Sequence, residues 1–312
     1  MGLLTNTTQS RNAAGWNERH VALPTGGAAA TAFPLATDAA LSTLQAGGNA
    51  VDAAVAAAWT LSVCEPSASG LGGQSTLLIH RSDGTAIIID GHSYAPSGVS
   101  IDTVDERQQR VGHRACTVPS TPATLEYAQR NYGALTPAAV FGPAIEAAEK
   151  GCAITPLQHR QAGWFGRQMQ VSAGIAKLFL VNGGPPPVGH VLRQPELART
   201  LRRLATQGAM DFYHGEIAKQ IADDMQRNDG LLNANDLANC SLVVEREPLE
   251  TSYRGLRVLS APSPGGGRNL LFALKLIEKL LPGAIEAANA ETWREAIALA
   301  SYRAFQKDDA SS

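Results

Sequence analysis

The chain has no CxxC pair, and its four cysteines, Cys64, Cys116, Cys152 and Cys240, match no zinc-site spacing. Each therefore reads as a small buried apolar residue, with a catalytic thiol as the open alternative. HExxH is absent. His214-Gly215-Glu216 has the HxE of zinc deaminases, but no PCxxC follows it. No metal and no cofactor are expected. The loop Ser263-Pro264-Gly265-Gly266-Gly267-Arg268 falls between an expected strand and an expected helix, as a phosphate loop does. It lacks both the Gly-Lys-Ser/Thr ending and the GxGxxG spacing, which argues against nucleotide binding. No apolar run reaches the roughly 18 residues of a membrane span. No basic cluster stands out and the net charge is −2, so neither nucleic acid nor membrane is an expected partner. The mixed-sign stretch Asp105 to Arg110 reads as a solvated surface segment. Internal repeats and long polar tracts are also missing, which leaves an ordinary globular chain of 312 residues read as a single domain portion, 1–312.

What the chain does have is concentrated between Gly47 and Gly73. A glycine pair and Asn49 open the run, an Ala-rich segment from Ala50 to Val63 follows with Asp52 inside it, and a small-residue loop from Pro66 to Gly73 closes it. Alanine combines high helix propensity with little bulk, so this predicts a thin buried helix that a neighbouring sheet can approach closely. The core helix of any α/β enzyme could look the same. Asp52 is expected to bond to loop backbone rather than to act as an acid.

Other elements follow from pattern. Pro34 to Gly47 predicts a helix capped at Thr37 or Asp38 and stopped at Gly47. Gln74 to Asp90 predicts a buried hairpin around Ser82-Asp83-Gly84. Two helices are expected between Pro122 and Gly151, and the stretch Thr155 to Phe179 looks less regular. Helices are expected at Gln194 to Gly208 and Met210 to Asn228, the latter with Ile217, Ile221 and Met225 as a core face. Leu242 to Val244 and Leu256 to Leu259 read as strands, and Asn269 to Leu280 and Thr292 to Phe305 as helices. Met1 to Trp16 is polar, without an apolar signal core. Together with the initiating Met1 this favours a cytoplasmic protein, a removed leader being the alternative.

The wording of these segments is similar to that of the gamma-glutamyltransferase family. The matching blocks are Ala29 to Gly73, the hairpin with Gly91-His92-Ser93-Tyr94-Ala95-Pro96, Val118-Pro119, Leu135-Thr136-Pro137, Phe212 to Ala218, Gly230-Leu231-Leu232 to Asp236-Leu237, Tyr253-Arg254-Gly255 and Ala261 to Gly266. They run in the family's order along about nine-tenths of the chain. The resemblance implies an α+β fold, the large-subunit portion of a four-layer αββα sandwich of the N-terminal-nucleophile hydrolase type.

It also implies that the chemistry lies elsewhere. Family members cut themselves, and the new N-terminal threonine of the small subunit attacks the amide, its own α-amine serving as base. This chain is expected to stop before that threonine, so no catalytic residue is expected on it. Its expected partner is the small subunit of the same precursor, and a dimer of such heterodimers is an option. Tyr302-Arg303 stands where the family usually has Asp-Arg. Thr7-Thr8-Gln9-Ser10 resembles the small subunit's opening, but its position marks it as an N-terminal tail. The one substrate-binding candidate is His92, at the position where the family has an arginine that clamps the glutamyl α-carboxylate. A loop histidine bonded to backbone is the alternative. Histidine cannot make the guanidinium fork and is only partly charged at neutral pH. The expectation is therefore hydrolysis of a small acidic amide, as in the oxamate amidohydrolase branch linked to purine breakdown. A gamma-glutamyl transferase or hydrolase using another cation is the first alternative, and a non-catalytic scaffold the second.

Overall fold

The computed structural model describes residues 27–239, 243–283 and 289–309. The polar stretch Met1 to Trp16 with its Thr7–Ser10 motif, Cys240 and Leu242 lie outside the described residues. Along the chain come helices α1 (Pro34–Gln45) and α2 (Ala50–Cys64), then strands β1 (Ser75–His80) and β2 (Ala86–Gly91). Helices α3 (Thr121–Tyr132) and α4 (Pro137–Lys150) lead to strand β3 (Cys152–Ala153), helices α5 (Pro156–Met169) and α6 (Ala173–Phe179), and strand β4 (Val191–Leu192). Four helices follow: α7 (Pro195–Gln207), α8 (Met210–His214), α9 (Glu216–Arg227) and α10 (Ala234–Asn239). Strands β5 (Val244–Arg246), β6 (Leu249–Tyr253) and β7 (Leu256–Ser260) precede helices α11 (Gly267–Leu280) and α12 (Ala290–Asp309). Helices combined with antiparallel strand pairs place the chain in the α+β class. The described residues form two compact units, one from 27–75 with 93–239, the other from 76–92 with 243–283 and 289–309.

In the first unit the core is built around α2. Asn49 caps it in a reciprocal box with Asp52, and Val55, Ala56, Trp59 and Val63 are almost wholly buried. The neighbours of this thin helix within its unit are helices α1, α4 and α3, where sequence pattern suggested a sheet. Trp59 stacks on Phe141 of α4 with ring centroids 4.4 Å apart. Asp52 is fully buried, and its carboxylate accepts from the backbone N–H groups of Asn49, Ala134 and Leu135. That is the loop-bonding role expected of it. Gly133 belongs to the same joint. A Cβ there would lie 2.4 Å from Asp52 Oδ1 and 2.5 Å from the Gln129 carbonyl, so crowding rather than backbone conformation requires glycine.

Three local expectations change. Helix α1 begins at Pro34, with Phe33 at the cap and no side-chain cap, so neither Thr37 nor Asp38 starts it. Proline in the first turn suffices, because its missing N–H would be unpaired there anyway. The stretch after Thr155 is regular. Thr155 and Gln158 form a capping box that starts α5, and Ser172 caps α6. Of the three residues expected on the core face of α9, Ile217 is buried, while Ile221 and Met225 are half-buried.

The second unit holds a three-stranded sheet in the order β1-β2-β5 and the hairpin β6–β7. The β1–β2 turn closes with the Arg81 N–H bonded to the Thr85 carbonyl, and Gly84 takes the left-handed region. Arg254 and Gly255 both have positive φ in the two-residue β6–β7 turn, which matches the right-handed twist of the strands. The Arg254 guanidinium donates to the carbonyls of Leu281 and Gly283 and lies over Trp293, tying the end of α11 to α12. Strand β6, with the half-polar sequence Leu249-Glu250-Thr251-Ser252-Tyr253, gave no clear strand signal by itself.

Candidate functional site

Strand β2 ends at Gly91, and alternation along an extended chain puts Ile88, Asp90 and His92 on one face. The antiparallel register pairs Ile88 with Arg246 and Asp90 with Val244. Arg246 is thus a diagonal neighbour of Asp90, at the separation a long side chain spans. The three polar side chains meet there. Arg246 Nε donates to Asp90 Oδ2 at 2.7 Å. The His92 backbone N–H donates to Asp90 Oδ1 at 3.1 Å, and the ring Nδ1 meets the same oxygen in a short contact. Arg246 Nη1 also reaches the Ser263 carbonyl at 3.4 Å. Asp90 is buried, whereas the side chains of His92 and Arg246 keep 21% and 41% of their exposure. A buried carboxylate thus carries two half-open donors.

His92, the residue singled out from sequence, is not held through its ring to a backbone group. The ring's partner is the Asp90 carboxylate. Asp90 and Arg246 were not singled out. Asp90 was legible in principle, since it lies two residues before His92 on an alternating strand. Arg246 needed the β2–β5 register, which no local pattern specifies.

The first unit contributes two cavities. One, of about 570 Å³, is lined by the small-residue loop Pro66–Gly70 and Gly72–Gly73 together with Gln74, Ser75 and Thr121. The Gly73 carbonyl accepts from Ser120 and Thr121 and so moors this loop to the start of α3. The other, of about 630 Å³, is lined mainly by apolar groups, with His113, Cys116 and Asp224 at its wall. His113 Nε2 and Asp224 Oδ2 lie 3.1 Å apart.

Among the described residues the cysteines carry no sign of a nucleophile. Burial, then the neighbouring Cys152, pushes the Cys64 thiol up to about 12. Burial raises Cys152, and burial followed by the Asp224 charge raises Cys116. Cys64 and Cys152 are buried as expected, while Cys116 is only half-buried. Among the described residues no cluster of His, Cys, Asp and Glu could hold a metal ion, and no helix is long and apolar enough to cross a membrane.

The chain is similar to known proteins along most of its length. The glutathione hydrolase proenzyme of Escherichia coli strain K12 is 34% identical over 261 residues, 81% of this chain and 45% of that protein. The Acylase ACY 1 proenzyme of Pseudomonas sp. strain SE83 is 34% identical over 267 residues, covering 81% of this chain and 48% of that protein. The crystal structure of Helicobacter pylori gamma-glutamyltranspeptidase aligns with a TM-score of 0.83 at 30% identity, covering 89% of this chain and 82% of that chain. The chain spans about half the length of the curated relatives it matches. Residues 36–309 match the gamma-glutamyltranspeptidase family. With that match, the identity to the curated relatives and the shared fold, the chain belongs to the gamma-glutamyltranspeptidase family.

Proposed function

We propose that this chain is the large subunit of a self-cleaving amide hydrolase or transferase that acts on gamma-glutamyl amides. Its similarity to a glutathione hydrolase proenzyme over most of its length carries the reading. The expectation of an oxamate-like substrate rested on His92 and on a cytoplasmic setting. No relative described above is named for such a substrate, whereas one is named for glutathione, so the gamma-glutamyl alternative takes precedence.

In this reading the nucleophile is the N-terminal threonine of a small subunit. A threonine hydroxyl is a weak nucleophile, and its free α-amine, which titrates near neutral pH, serves as the adjacent base. Attack on the amide carbon releases the amine and leaves an acyl-enzyme, which water or a second amine then resolves. The small subunit also completes the four-layer αββα sandwich, covering the edges of the three-stranded sheet that this chain contributes. His92, with Asp90 and Arg246 beside it, receives the acyl group's polar end.

The test is to produce the full precursor, record intact masses and the first residue of any second chain, and assay gamma-glutamyl p-nitroanilide and oxamate. A second chain opening with threonine and turnover of the anilide are expected. Turnover of oxamate alone would restore the small-acid reading, and a single uncut, inactive chain would favour the scaffold reading.

A further inference from the structure

The larger of the two cavities, about 630 Å³, lies wholly within the first unit. Helices α5 and α6 form a hairpin that supplies much of its wall, with Met169, Val171, Ile175 and Phe179. Leu192 of β4 and Met225 of α9 add to the apolar lining. The hairpin itself packs little against the core. In α5 only Ala162 is buried, and α6 buries no residue. Val171 and Ile175 keep 61% and 44% of their exposure. Protein interiors hold few voids larger than a water molecule, and a space walled by hydrocarbon takes up apolar molecules in preference to water. The size is that of a small-molecule site, which combines apolar walls with a few polar groups.

Those polar groups decide the class of molecule. The charged side chains in the wall already have partners of opposite sign. Asp224 meets His113 Nε2 at 3.1 Å and Arg227 at 3.6 Å, and Arg110 pairs with Glu106 at 2.7 Å. An ionised ligand would lose water there without gaining an unpaired counter-charge. The amides differ from one another. Gln158 is engaged at both ends, by the Thr155 N–H and the Cys64 carbonyl. Gln161 accepts from Ser67 Oγ at 3.1 Å through Oε1, and its Nε2 has no partner among the described residues.

We propose that this cavity is a binding site for one uncharged, mainly hydrocarbon molecule with an acceptor oxygen, which receives a hydrogen bond from Gln161 Nε2. The site shares no residue with the cluster of Asp90, His92 and Arg246, so it stands or falls independently of the gamma-glutamyl reading.

The experiment uses the full-length protein. N-phenyl-1-naphthylamine, an uncharged dye that brightens in apolar surroundings, is titrated in and then displaced with 1-decanol, decanoate or decylamine. The dye should saturate at one molecule per chain, and 1-decanol should displace it, with decanoate and decylamine weaker by about 10-fold or more. Ile175→Glu, which puts a charge into the wall at a half-open position, should abolish dye binding. Gln161→Leu should weaken 1-decanol by about 3- to 10-fold, the value of one neutral hydrogen bond, and leave the dye's own affinity unchanged. Trp164→Ala should change nothing, because Trp164 is exposed on α5 and does not line the cavity. Dye binding that never saturates overturns the proposal, as does displacement by decanoate or decylamine equal to that by 1-decanol. Binding that survives Ile175→Glu but is lost in Trp164→Ala also overturns it, since the dye then sits on the outside of the hairpin. An unchanged 1-decanol affinity in Gln161→Leu refutes the hydrogen bond.

Discussion

Asp52→Ala would remove one carboxylate that serves three backbone donors. The N–H groups of Asn49, Ala134 and Leu135 lie 3.0, 2.8 and 3.2 Å from its oxygens. These bonds join the start of α2 to the α3–α4 connection, and Asn49 Nδ2 reinforces the joint by donating to the Tyr132 carbonyl at 2.7 Å. Asp52 is fully buried, whereas Asn49 and Ala134 are exposed and Leu135 is half-buried, so water can take over part of the bonding once the carboxylate is gone. A hydrogen bond to a charged group contributes about 1.5–3 kcal/mol, and with solvent replacing part of the loss the three together come to about 3–6 kcal/mol. Against a typical total of about 5–15 kcal/mol that is a large share. Urea denaturation of the intact protein, followed through tryptophan fluorescence, measures the loss. Trp59 is a suitable reporter, since it is buried on α2 and stacked on Phe141. Asp52→Asn keeps the shape and one acceptor oxygen, so about half of the loss should remain. A cost below about 1 kcal/mol for Asp52→Ala would refute the view that this carboxylate holds the two helical pairs together.

Gly267→Ala should cost about 3 kcal/mol or prevent folding, because the new Cβ would lie 2.0 Å from the Ala261 carbonyl, a backbone group with little freedom to yield. Gly72→Ala, with nothing within 4 Å of the added carbon, should stay within about 0.5 kcal/mol in the same denaturation assay. Alkylation of the native protein with iodoacetamide at pH 7.5, read by peptide mass, should spare Cys64 and Cys152, whose thiols burial holds protonated. Rapid modification of Cys64 would contradict its place in the core. The Arg203 hydrogen bonds to Asp211 hold that carboxyl below the usual aspartate value. The unfolded state then binds the proton more readily, so this pair's contribution is present above about pH 4 and is lost as pH falls through the lowered folded value. Subtracting the acid branch of the Tm–pH curve of Asp211→Asn from that of the unsubstituted protein should expose this loss, and a flat difference curve would refute it.

The sequence by itself determined the helices of the first unit other than α5, α6 and α10, the β1–β2 hairpin and the family. Local signals suffice for these: the Ala-rich run behind an Asn cap, apolar strands around Asp-Gly, and glycine stops such as Gly151 with φ of +88°. It also contained signals that went unused, such as Thr155 and Gln158 at capping-box spacing, the start of a regular helix. What the tertiary structure alone decided was the company each polar residue keeps. His92 could be picked out by its position beside Ala95-Pro96, but its chemistry depends on Asp90 and Arg246. Arg246 reaches that face only through a strand register set between segments far apart in the chain. Periodicity assigns a residue to a face of its own strand. Which strand lies alongside, and in which register, follows from the burial of whole faces and the closing of remote loops, and no local run of residues encodes that.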